Sequence, residues 1–207
     1  EIPKGEPIVK KAIVLQPIKG EIIDTAYDAN IRIPAIFSAY RVPGMKERDS
    51  KVLGLISSLL SGGGSSRLST KLVDDKKTAL QVAAFNYTLE DHGVYITLAL
   101  PNNNTQLNNL LTDIDEEVLR LQTDLISEDE LTKLQNSFEN SYVTTNSRMI
   151  GLAENLANGY TFHNKNTNEI NEELKLIRSI TREEIRDVAR KYLKKDGRVV
   201  LYYLPKK

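Results

Sequence analysis

Apolar positions along the chain change period several times, and each change marks an element. Residues 12–18 and 31–42 are rich in β-branched and aromatic side chains, which predicts two extended segments. Pro34 has no amide proton to give, so it predicts an edge position or a bulge near the start of the second. Pro43-Gly44 marks a turn. Val52, Leu53, Leu55, Ile56, Leu59 and Leu60 then fall at helical spacing until Gly62-Gly63-Gly64 ends the stripe. Ser65-Ser66 predicts the cap of a second, shorter helix carrying Arg67, Leu68 and Leu72. Residues 78–89 and 93–100 read as strands joined by a tight link, an antiparallel hairpin.

Helical spacing dominates the remainder. Leu107, Leu110, Leu111, Ile114, Val118 and Leu121 form one amphipathic face. Ser127 to Glu130 (SEDE) reads as a capping box opening a helix with Leu131, Leu134, Phe138 and Tyr142 inward. That helix is expected to run on, with a break near residues 144–147, through Ala153, Leu156, Ala157 and Tyr160. Thr181 to Glu184 (TREE) is a second capping box, ahead of Ile185, Val188, Ala189 and Tyr192 on one side. Asp196-Gly197 stops that helix, and residues 198–204 (RVVLYYL) form a final strand. The order of elements predicts an α+β fold, a largely antiparallel sheet with helices packed on one face. Residues 1–10, with two prolines and a glycine among charges, read as a linker or arm, and residues 11–207 as a single domain.

Composition removes several function classes. The 28 basic residues are balanced by 28 acidic ones, against a dedicated nucleic-acid binder or a polybasic membrane-surface protein. The longest apolar run, near Leu55 to Leu60, is broken by Ser57 and Ser58 and is too short to span a bilayer. The absence of cysteine excludes disulfides, thiolate metal sites and cysteine nucleophiles. The first residue is Glu rather than Met, so the chain is expected to be a piece of a longer one.

Candidate chemistry is sparse. The two histidines, His92 and His163, have no His or carboxylate at the spacing that puts two zinc ligands on one helical face. The segment Gly62 to Arg67 (GGGSSR) is the most distinctive local feature. It lacks the lysine of a phosphate-binding loop and the strand-to-helix setting and second glycine of a serine-nucleophile elbow. Two readings remain beside a plain helix–helix turn. Its free amides and Arg67 could face an anion, or they could face a peptide carbonyl. The carboxylates at residues 113–117 and 128–130 fall on solvated faces or in first helical turns. The sequons at Asn86 and Asn103 are short enough to arise by chance.

Taken in order, the segments resemble a half-unit of the pitrilysin/insulinase family of zinc metallopeptidases, the inverzincins. The resemblance rests on residues 39–43 (AYRVP), 60–68 (LSGGGSSRL), 126–131 (ISEDEL), 180–185 (ITREEI), 189–193 (ARKYL) and the closing residues 199–205. In that family two similar halves close like a clamshell. One carries H-x-x-E-H and a distal Glu that hold zinc; the other lacks the metal ligands and supplies an Arg and a Tyr. Without H-x-x-E-H, this chain resembles the second half.

The resemblance implies that Arg67, with Gly63, Gly64, Ser65 and Ser66 around it, meets the substrate. A permanent charge with a fixed fork of donors suits a peptide carbonyl or a terminal carboxylate. The expected tyrosine falls on Leu80, which has no hydroxyl, and Tyr87 lies seven residues further on. The implied cofactor is zinc in a partner half and none in this chain. The implied partners are that half, in the same polypeptide or another, and a peptide substrate. A periplasmic or cell-envelope location is also implied by resemblance alone. The rival expectations are a purely structural module of the same fold, and an anion-binding domain using Gly62 to Arg67.

Overall fold

The structure is a computed structural model that describes residues 5, 13–16, 18–103 and 105–206. Five strands form one sheet in the order β1-β5-β2-β4-β3. They are β1 (Ile22–Asp28), β2 (Ala35–Pro43), β3 (Ala79–Thr88), β4 (His92–Pro101) and β5 (Arg198–Pro205). Every pairing is antiparallel except β1 with β5. The helices are α1 (Arg48–Ser61), α2 (Leu107–Thr123), α3 (Glu128–Asn146), α4 (Met149–Phe162), α5 (Glu169–Arg178) and α6 (Arg182–Tyr192). A π-helix, Ser69–Asp75, follows the glycine loop.

Alternation along β2 sets the inner face. Ile36, Ser38, Tyr40 and Val42 are buried toward the helices, and they pair with Ala99, Thr97, Tyr95 and Gly93 of β4. The apolar stripe of α1 closes over this face, with Val52, Leu53, Ile56 and Leu60 fully buried, packing on β3 and α6. Leu110, Ile114, Val118 and Leu121 of α2 and Ile185, Val188 and Ala189 of α6 complete the core. Both predicted capping boxes are present. Ser127 and Thr181 each accept from the amide three residues on, while Glu130 and Glu184 return to the N-cap amide.

A buried ion cluster pins β5. The Arg198 side chain is 1% exposed and donates to Glu21, to Asp115 and to the Tyr40 hydroxyl. Three acceptors around one fork satisfy a charge that burial alone would penalise heavily.

Two sequence expectations are corrected. The strand expected over residues 12–18 is absent. Residues 13–16 and 18 carry no strand, Ala12 and Pro17 lie outside the described residues, and the strand occupies Ile22–Asp28. β1 is an edge strand exposed over most of its length, so its side chains carry no alternating pattern to read. The arm expected at residues 1–10 lies outside the described residues except for Gly5. Finally, α4 does begin after a break at residues 147–148, but Ala153, Ala157 and Tyr160 point to solvent rather than to the core.

Candidate functional site

Gly62 ends α1, its amide donating back to the Ser58 carbonyl at 2.8 Å. A Cβ at residue 62 would lie 2.5 Å from that same oxygen, so the chain can turn here only with glycine. Gly63 follows at φ +137°, a conformation that side chains other than hydrogen rarely adopt. The Ser66 amide and hydroxyl both donate to the Gly63 carbonyl, at 3.0 and 2.6 Å, and the hydroxyl also reaches Ser69 at 2.9 Å. Ser65 accepts from Lys133 Nζ at 2.6 Å. The serines therefore tie the turn together and anchor it to α3, and the loop's hydrogen-bonding capacity is spent largely on itself.

Arg67 leaves this turn at the start of the next helical segment and faces the first turn of α3. Its Nε and Nη2 donate to the two oxygens of Glu130 at 2.8 and 2.9 Å, a fork-to-fork pair. Glu130 also accepts from the Ser127 amide at 2.9 Å. One carboxylate thus closes the capping box and holds the arginine. The Arg67 guanidinium and then the Ser127 amide hold the Glu130 carboxyl down to about 2. Arg67 is pushed up by the same bond. On the Glu130 side the free space is about 60 Å³, lined by Gly62, Ser65, Ser66 and Lys133, which is room for ordered water rather than a peptide. On its other side Arg67 borders an open trough shared with Lys71, Glu117 and Arg120, and Nη1 makes no hydrogen bond among the described residues.

Sequence reasoning missed Glu130 as the partner of Arg67. Its only visible signal was the capping box, which explained the carboxylate locally. Leu80, at the position where the resemblance expects tyrosine, is exposed on β3 beside a register shift in the pairing with β4. Tyr87 is exposed too, but seven strand residues place it about 23 Å along β3, so it does not substitute for a hydroxyl at Leu80.

The histidines are far apart in role. His92 Nε2 meets the Ile13 carbonyl at 3.0 Å, and His163 Nδ1 meets Glu169 at 2.7 Å where α4 turns into α5. Among the described residues no group of three or more His, Cys, Asp or Glu is placed to hold a metal ion. No described helix is long and apolar enough to cross a membrane. Asn86, the asparagine of one sequon, donates to the Ser50 carbonyl at 2.9 Å and is used in packing.

Residues 1–138 match the family described as "Peptidase M16 inactive domain". Over 96 residues, 46% of this chain, the sequence is 35% identical to "Zinc protease PqqE" of Helicobacter pylori, covering 22% of that protein. A solved protease from Helicobacter pylori superimposes with a TM-score of 0.84 at 22% identity, over 95% of this chain and 48% of that one. A solved peptidase M16 inactive domain from Pseudomonas fluorescens gives 0.78 at 15% identity, over 98% and 47%. The chain therefore spans about a fifth of the curated relative and about half of these solved chains.

Proposed function

The chain belongs to the peptidase M16 inactive-domain family, and from that premise we propose that it is the non-metal half of a zinc peptidase. It pairs with a zinc-bearing half, in the same polypeptide or another, to enclose an unfolded peptide. It supplies wall and shape rather than reacting groups. Zinc, where the partner holds it, would supply the activated water.

The observation that carries this reading is the state of the two positions expected to reach substrate. Arg67 is bound on two of its three nitrogens by Glu130, and Leu80 offers no donor. An oxyanion donor must be preorganised toward the reacting carbonyl, and a missing one costs a few kcal/mol of transition-state binding. Arg67 therefore serves first as a clamp on α3, with only Nη1 left for a substrate carbonyl.

The test joins the chain to the H-x-x-E-H segment expected to flank or neighbour it in the genome. Cleavage of an unfolded peptide is expected only when both are present. Stoichiometric zinc together with cleavage by this chain alone would sink the proposal. Arg67→Ala in the assembled protein separates a substrate contact from a scaffold. A large fall in turnover with intact assembly assigns contact, and unchanged turnover assigns scaffold.

A further inference from the structure

The surface of α4 is inverted relative to an ordinary helix. At 3.6 residues per turn, Leu152, Leu156, Met149, Tyr160, Ala153, Ala157 and Ile150 form one continuous apolar stripe. In a domain that stands alone, such a stripe turns to the core. Here the residues that face inward are Gly151 and Gly159, both buried, with Asn155 and Phe162 half-buried between them. Gly151 packs so closely on the end of α3 that a Cβ would lie 2.3 Å from the Thr145 carbonyl. Asn155 bonds Asn146 across the same joint at 2.8 Å. The small and polar side of α4 is thus fitted to α3 and, at Gly159, to the loop at Asn166, and the apolar side is left out. Met149 is 87% exposed and Ile150 68%, with Leu152, Tyr160 and, on α3, Val143 also exposed. Glu154 is the one charged residue within the helix.

Stripe length and charge narrow the occupant. The exposed apolar area comes to roughly 500 Å², within the range of about 300–600 Å² for the largest patch of a typical monomer, a patch that is often functional. Matched by an equal area, it totals about 1,000 Å², below the 1,200–2,000 Å² that stable complexes between free partners bury. A partner held nearby by other contacts needs no more than this, because linkage raises its effective concentration. The Helicobacter pylori and Pseudomonas fluorescens chains are each about twice this length, so a further stretch of similar size is joined to the corresponding domain in those two.

We propose that the outward face of α4, centred on Met149, Ile150 and Tyr160, is the surface on which the zinc-bearing half docks, through an uncharged apolar face of its own. This rests on the reading above that such a half exists.

The chain has no cysteine, so Ile150→Cys places a unique thiol in this half at the centre of the stripe. Leu119→Cys, exposed on α2, serves as the control. Maleimide labelling of the I150C variant is expected to be fast in the chain alone and at least tenfold slower when assembled with the zinc-bearing half. The control should label equally in both. Two further variants, M149D and Y160D, should leave the melting temperature of the chain alone unchanged and weaken assembly at least tenfold.

Assembly with no protection at residue 150 overturns the α4 surface and leaves the pairing intact. Failure of the wild-type chain to assemble at all overturns both. Protection that grows with concentration of the chain alone assigns the face to a second copy. Protection by neutral phosphatidylcholine vesicles assigns it to a lipid surface. Either of these also overturns the proposal.

Discussion

Replacing Glu130 by glutamine isolates the charge in the Arg67 clamp. The amide oxygen of Gln can still accept from the Ser127 amide, so the capping box survives and only the ionic partner of Arg67 is lost. The wild-type carboxyl is held down to about 2 from the ordinary 4.5, for which linkage sets a ceiling of about 3 kcal/mol. The Glu130 and Arg67 side chains retain 30% and 23% of their exposure, so solvent screens much of this. The expected cost at pH 7 is about 1–2 kcal/mol. In a domain of this size that lowers the melting temperature by about 3–6 °C.

The sign follows from the depressed carboxyl. Its contribution is complete above pH 4.5 and disappears as pH falls toward 2, so at pH 3 the gap between wild type and the E130Q variant should shrink to less than half. Urea and thermal unfolding followed by far-ultraviolet circular dichroism at pH 7 and pH 3 measure it. A double-mutant cycle with Arg67→Met should return a coupling of about 1–2 kcal/mol. A coupling near zero, or a gap that does not narrow with acid, would refute the clamp and return Arg67 to the trough as a free cation.

Other consequences are sharper in size. Arg198→Met leaves the Tyr40 hydroxyl buried, Glu21 without its cation and Asp115 with only the more distant Lys195, and should cost about 3–5 kcal/mol in urea unfolding. Thr181→Ala removes the oxygen that accepts the Glu184 amide at 3.2 Å and should cost about 1 kcal/mol, visible as earlier exchange of the first amides of α6. Gly151→Ala forces the start of α4 away from Thr145 and should cost about 1–3 kcal/mol, with faster hydrogen exchange along α4 while α1 stays protected.

The capping boxes at Ser127 and Thr181, the helical stripe of α1 and the hairpin of β3 and β4 were legible because each is written in neighbouring residues. A cap reads three positions ahead and a stripe four. The resemblance to a non-metal half was legible for the same reason, as an ordered set of short segments, and the family match bears it out. β1 was not legible, because an exposed parallel edge strand is stabilised by main-chain pairing with residues some 177 positions away and needs no alternating pattern.

Nor did the site yield to sequence. The resemblance set Arg67 against a substrate, and only folding brought Glu130, 63 residues on, to it. By itself the sequence determined most of the elements apart from β1 and α5, the absence of a thiolate or H-x-x-E-H zinc site, and a side chain without a hydroxyl at Leu80. The tertiary structure decided what Arg67 holds and which way α4 turns. Periodicity shows that a helix has an apolar face. Which face meets the core depends on what packs against it, here Gly151 and Asn155 fitted to the end of α3 and Gly159 to the loop at Asn166.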